Sequence, residues 1–207
     1  MTRDNLEDIS NLDQEITQQL PLNIRDMLYK NHCLYGVKTD LHMLKRYILS
    51  YQNKYCLIDP QMLWNNIQTL IALLKKLKRD DILVFLYREP HNSIIRKFAK
   101  LLGFKVFDKK FVPGIFTNTR AKNYIRPRCI FVFHDKIHKR IIKEASYNKI
   151  CVVGCNNLVK SRARYNRCIY INNFYRDSIG YVLYLIYSLL EKGNNLLSFE
   201  EFKESVN

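Results

Sequence analysis

From about residue 54 to residue 190, short apolar runs alternate with longer stretches whose apolar residues recur every three or four positions. The short runs predict strands at Lys54–Asp59, Ile82–Tyr87, Lys105–Phe107, Cys129–Phe133, Ile150–Gly154 and Cys168–Ile171. Ile82–Tyr87 (ILVFLY) is apolar without a break, the pattern of a strand buried on both faces. Gln61–Arg79 sets Leu63, Ile67, Leu70, Ile71, Leu74 and Leu77 at helical spacing. Lys75, Lys76, Lys78 and Arg79 then fall at the end where the helix dipole favours cations. Asn92–Leu102 reads as a helix stopped by Gly103, and Lys136–Tyr147 and Asp177–Leu190 read as two more.

Continuous apolar strands separated by helices predict a parallel sheet covered on both sides. The expected fold is α/β: a three-layer α/β/α sandwich of flavodoxin or Rossmann type, with a mainly parallel five-stranded sheet. Ligands of such sheets collect at the carboxyl ends of the strands, where the loops after Phe107 and Gly154 are expected to emerge. Residues 1–30 read as an N-terminal helical extension with Leu20, Ile24, Met27 and Leu28 as its apolar contacts. Residues 31–192 form the α/β domain, and 193–207 a tail with one helical turn around Phe199–Phe202.

Charge changes the picture. The chain carries 34 Lys+Arg against 19 Asp+Glu, a net +15, and residues 88–176 alone hold 21 cations against four acids. Both ends are acidic, so the positive field is concentrated in the middle, as suits a polyanionic partner whose phosphates release condensed counterions. A solvated basic surface is the plainer alternative. A membrane role is disfavoured, because no apolar run reaches about 18 residues. Six cysteines sit mostly in strand-like runs and read as reduced thiols; Cys151 and Cys155 lack a matching pair at zinc-finger spacing. No metal or cofactor is expected.

The chemistry of a doubly wound enzyme is missing. The first strand continues as Asp-Pro-Gln rather than Gly-x-Gly-x-x-Gly, and no phosphate-binding Gly-x-x-x-x-Gly-Lys-Ser/Thr occurs. His134-Asp135, with His138 one turn on, is a conceivable general base, but no nucleophile stands beside it, and capping or phosphate contact fits better. His32 and His42 flank Gly36 in a polar, loop-like region. Tyr181, Tyr184 and Tyr187 repeat as a packing face of the last helix, whereas Tyr124 and Tyr165 lie among arginines as stacking candidates.

The densest chemistry is the stretch Phe111–Asn118 (Phe-Val-Pro-Gly-Ile-Phe-Thr-Asn) and the cations after it. A Pro-Gly turn leading into Thr-Asn suits backbone and amide contacts to phosphate. The candidate RNA-binding residues are Lys109, Lys110, Gly114, Thr117, Asn118, Arg120, Lys122, Arg126 and Arg128. Two further patches are Lys38, Lys45 and Arg46, and Lys160, Arg162, Arg164 and Arg167. Cations at that density, interspersed with Asn, Ser and Tyr, fit the phosphates and ribose hydroxyls of folded RNA.

Taken in order, these motifs resemble the ribosomal protein S2 family of the small subunit. The family's Thr-Asn turn is matched by Gly114-Ile-Phe-Thr117-Asn118, and its aromatic-Gly-x-x-Thr segment by Tyr35-Gly36-Val-Lys-Thr39. Tyr47-Ile48 and Leu57-Ile58-Asp59 resemble the segment that follows. Pro127-Arg-Cys-Ile-Phe-Val-Phe-His-Asp and Ile142-Lys-Glu-Ala145 resemble a later strand and its Glu-Ala helix. The match covers about residues 28–192. The long helical hairpin of bacterial members is replaced by about nine residues, Thr119–Pro127, and Asn156-Asn157-Leu158 departs from the family's Asp-Thr pattern.

The resemblance implies a non-enzymatic, monomeric constituent of the small ribosomal subunit, binding rRNA and neighbouring ribosomal proteins. Over-use of Phe, Tyr, Ile, Asn and Lys suggests an AT-rich gene and hence an organellar, mitochondrial ribosome; plastid and cytosolic ribosomes stay open. The acidic N-terminus is unlike a transit peptide, which an organelle-encoded protein does not need. The competing class, an RNA-modifying or nucleotide-dependent α/β enzyme, predicts a cofactor-sized pocket with a glycine turn or a titratable pair.

Overall fold

The computed structural model describes residues 19–38, 42–53, 55–86, 91–134, 138–158, 165–191 and 196–204. Helix α1 (Leu22–Lys30) buries Leu28 and sets Ile24 and Met27 against the main core. The chain continues through β1 (Tyr35–Val37), the short α2 (His42–Lys45), β2 (Ile48–Gln52) and β3 (Tyr55–Ile58). These strands form an antiparallel sheet in the order β1-β3-β2. The run at 54–59 is therefore not part of the parallel alternation, contrary to expectation. Its partners β1 and β2 carry Gly36, Ser50 and Gln52, too short and mixed a pattern to register as strands, yet they flank β3 on both edges.

Asp59 turns strand into helix: its carboxylate accepts the Gln61 N–H at 2.9 Å, and Pro60 opens α3 (Pro60–Lys75). The helix ends four residues short of the expected Arg79, which belongs to a 3₁₀ turn, Arg79–Asp81, leading into β4 (Ile82–Phe85). Helix α4 (His91–Leu102), β5 (Lys105–Phe107), β6 (Cys129–Val132), α5 (Lys139–Tyr147) and β7 (Cys151–Asn156) follow. The chain then forms β8 (Arg167–Tyr170), α6 (Arg176–Leu190) and α7 (Phe199–Lys203).

The second sheet holds five parallel strands in the order β5-β4-β6-β7-β8. The α/β sandwich with a parallel five-stranded sheet is thus what the chain builds. Counted from β4 the order is that of flavodoxin-like sheets, with its reversal between β4 and β6.

Alternation within the central strands divides the side chains between two unlike layers. Ile82, Val84, Cys129, Phe131, Val153 and Cys155 face the larger core, shared with α3, α4, α6, α1 and α7. Leu83, Phe85, Ile130, Val132 and Val152 face the other way, onto Ile141, Ile142 and Ala145 of α5 and onto Ile115 and Phe116. The last two belong to the connection between β5 and β6. That irregular crossover therefore occupies the place of a helix on the second face. At the far end of the chain, Phe202 of α7 is fully buried and stacks on Tyr187 with ring centroids 5.7 Å apart. No helix among the described residues is long and apolar enough to cross a membrane.

Candidate nucleic-acid interface

The crossover loop starts at the carboxyl edge of the sheet, after Phe107, and returns to the amino edge at Arg128. Ile115 and Phe116 anchor it in the core, and Ile125 N–H bonds back to the Ile115 carbonyl at 2.9 Å, closing the loop on itself. Arg128 N–H bonds to the Asp81 carbonyl at 2.9 Å, and its guanidinium lies 3.5 Å from the Asp81 carboxylate. The candidate cations are thereby strung down one face rather than gathered at the carboxyl edge, as the sheet topology alone suggested.

Between those anchors the Thr-Asn turn is held from below by α5. One carboxylate oxygen of Glu144 accepts the Gly114 N–H at 2.9 Å; the other accepts the Phe116 N–H at 2.8 Å and the Thr117 hydroxyl at 3.3 Å. Asn118 N–H closes onto the Gly114 carbonyl at 2.8 Å, and Asn118 Oδ1 accepts the Arg120 N–H at 3.1 Å. Gly114 has φ +98°, a conformation for which a residue without Cβ is suited. The N–H groups of Gly114, Phe116, Thr117 and Asn118 are thus bonded within the protein. Of the amides expected from the sequence to meet phosphate, those of Gly114 and Phe116 bond to an internal carboxylate and those of Thr117 and Asn118 to the Gly114 carbonyl. Glu144, the glutamate of the Glu-Ala helix, is one of only four acids among residues 88–176.

Thr117, Asn118, Arg120, Lys122, Arg126 and Arg128 are all exposed, as are Lys109 and Lys110 at the loop entry; Gly114 is half-buried. Among the described residues, Arg120, Lys122 and Arg126 make no ion pair, whereas Arg128 is paired with Asp81. Lys38 and Lys45 are exposed; Arg46 bonds the Tyr47 hydroxyl at 2.8 Å and lies 4.9 Å from that ring's centroid. Asn157 Oδ1 accepts the Val37 N–H at 2.9 Å, which sets Lys38 beside the carboxyl end of β7. Lys160, Arg162 and Arg164 lie outside the described residues, and Arg167 is half-buried on β8.

The remaining candidates are mostly structural. His138 is buried at the start of α5, its Nε2 2.9 Å from the Leu86 carbonyl; burial lowers its pKa to about 4, with His134 adding to the effect. Asp135, offered as base orienter or cap, is not among the described residues. Tyr165 is half-buried and packs on Gly154, where an added Cβ would come within 2.5 Å of its ring. Tyr181 and Tyr187 are buried, and Tyr184 packs on Phe199 and Phe202. Cys129 and Cys151 are neighbours in the β6–β7 register; the hydrogen bond between them raises Cys129 and lowers Cys151, aided by Arg167.

A cleft of about 540 Å³ opens between edge strand β5 and the crossover loop. It has the size of a small-molecule site, but its one glycine is Gly114, whose N–H is taken by Glu144. Its charged lining is Lys105, Asp108, Lys109, Lys110 and Lys122, without an acid–base pair suited to proton transfer.

Fold and loop together define an α/β/α scaffold protein with a cationic, internally braced crossover in place of one helix. No family model matches the chain. Small ribosomal subunit protein uS2 of Methanococcus maripaludis strain C6 is 26% identical over 153 residues, covering 71% of this chain and 69% of the relative. The uS2 of Nitrosopumilus maritimus is 27% identical over 139 residues, 66% of this chain and 67% of the relative. The uS2 of Trichoplax adhaerens is 31% identical over 133 residues, 63% of this chain but 46% of that longer protein. The chain is similar to these uS2 proteins over most of its described length.

Proposed function

We propose that this chain is a structural component of the small ribosomal subunit. It binds rRNA through the crossover loop and contacts neighbouring ribosomal proteins elsewhere. The observation that carries this reading is the braced turn: Glu144 fixes Gly114–Thr117 from inside while Arg120, Lys122 and Arg126 stand exposed and unpaired among the described residues. A rigid loop that displays free cations binds phosphate at little cost in ordering entropy. Lys109, Lys110, Thr117, Asn118 and Arg128 extend the same face. Lys38, Lys45 and Arg46, with Arg167 and its neighbours Lys160, Arg162 and Arg164, supply two further contacts. The relatives are named as ribosomal subunit proteins, and this chain is likewise not an enzyme.

Assembly as a single copy in a mitochondrial ribosome is supported by the AT-rich bias of the composition. A cytosolic ribosome is the second reading, favoured by the archaeal and animal sources of the relatives. Cosedimentation with small subunits at rising salt tests the role: association at low salt that declines steadily supports it, and a chain left free at low salt rejects it. Fractionation of the source cell separates the compartments.

A further inference from the structure

The cleft beside β5 shares Gly114, Ile115 and Ile125 with the braced loop, and its chemistry is divided. Its floor is apolar, made by Val106, Ile115 and Ile125, and half-buried Tyr124 forms part of the wall. Its rim is cationic and exposed, with Lys109, Lys110 and Lys122. Asp108 also lines it, but lies 3.4 Å from Arg96, which offsets its charge.

We infer that this cleft receives a single nucleotide turned out of an RNA strand. The base lies on the apolar floor against Tyr124, and the phosphates on either side meet the three rim lysines. This rests on the rRNA reading above and narrows it to one feature of the RNA. A phosphate alone leaves the floor without a partner, and a purely apolar ligand leaves three lysines without one. An extruded nucleotide uses both, since every base has a π-face and every nucleotide a flanking charge. A cleft of about 540 Å³ falls within the roughly 300–1,000 Å³ of ordinary ligand sites. Bases within a paired A-form helix cannot enter it; a bulged residue, already unstacked, enters at small cost.

The test compares an RNA hairpin carrying one bulged adenosine with the same hairpin fully paired, by fluorescence anisotropy on the whole chain. The native protein is expected to bind the bulged hairpin about tenfold more tightly, the scale of one base–aromatic stack. Ala121→Trp, which fills the cleft from its wall, brings the bulged hairpin down to the level of the paired one. Val112→Trp does the same from an exposed position and covers the case in which Ala121→Trp fails to fold.

Equal binding of the two hairpins by the native protein overturns the inference and leaves the RNA reading standing. Failure to bind either hairpin at low salt overturns both. Saturation of the cleft by micromolar free AMP assigns it to a soluble nucleotide instead, and competition by polyglutamate limited to the bulged hairpin assigns it to an acidic peptide; either result overturns the inference.

Discussion

Glu144 and Gly114, thirty residues apart in the chain, are joined by a 2.9 Å hydrogen bond from the glycine N–H to the carboxylate. The same carboxylate also holds Phe116 N–H at 2.8 Å, so one side chain of α5 sets the shape of the turn over it. A carboxylate accepting two backbone donors does what a bound anion would do there, and leaves the loop's outer face to its cations.

Glu144→Ala removes the acceptor of two partly buried N–H groups. Hydrogen bonds to a charged partner contribute about 1.5–3 kcal/mol each, and neighbouring bonds are not additive. A loss of about 3 kcal/mol in unfolding free energy is expected, read by denaturant titration. Glu144→Gln keeps one acceptor oxygen and falls between. An unchanged midpoint for Glu144→Ala contradicts the brace.

Gly114→Ala puts a Cβ on a residue at φ +98°. A strained backbone of this kind costs about 1–3 kcal/mol. The lost stability should appear as a lower thermal midpoint. If the alanine variant unfolds with the native protein, the turn is not as described.

His138 gives the fold a pH dependence. Its folded pKa, about 4, lies below the ordinary 6.5, because burial disfavours the imidazolium. Between those values the unfolded chain binds more protons, so this contribution is complete above about pH 6.5 and falls as the pH drops toward 4. A swing of about 3 kcal/mol follows from about 1.4 kcal/mol per pKa unit. Stability measured from pH 7 to pH 4 should decline less steeply in His138→Gln; parallel curves would remove His138 as the cause.

Phe202 anchors the C-terminal helix to Tyr187 and is fully buried. Phe202→Ala should cost about 3–5 kcal/mol, as other large-to-small aromatic changes do. A loss below about 1 kcal/mol would show that α7 is not docked in solution.

The exposed cations predict a salt slope. Replacing Arg120, Lys122 and Arg126 with Ala should lower the dependence of log affinity for RNA on log salt by about two to three, if each meets one phosphate. The loss should be alike across RNA sequences, because phosphate contacts carry no base information. An unchanged slope would move the contact surface off the crossover loop.

The long apolar strands and the amphipathic helices could be read directly, because periods of two and 3.6 are local properties of side-chain direction. Ile82–Phe85, His91–Leu102 and Cys129–Val132 fall within a residue or two of their expected bounds. The cations of the crossover loop could likewise be counted before any fold was known. The antiparallel pairing of β3 could not, since β1 and β2 are short, partly polar and defined by partners distant in the chain.

Tertiary packing alone decided how the Thr-Asn turn is used. The turn and the Glu-Ala helix are each visible as motifs, but a hydrogen bond spanning 28 residues has no local periodicity to betray it. Only the crossover's descent along the second face brings Gly114 over Glu144 and makes the Gly114 and Phe116 amides structural donors. The side-chain inventory determined that this protein carries a concentrated positive charge on an α/β frame. The packing determined which groups remain free to use that charge, because a donor satisfied inside the protein is no longer available outside it.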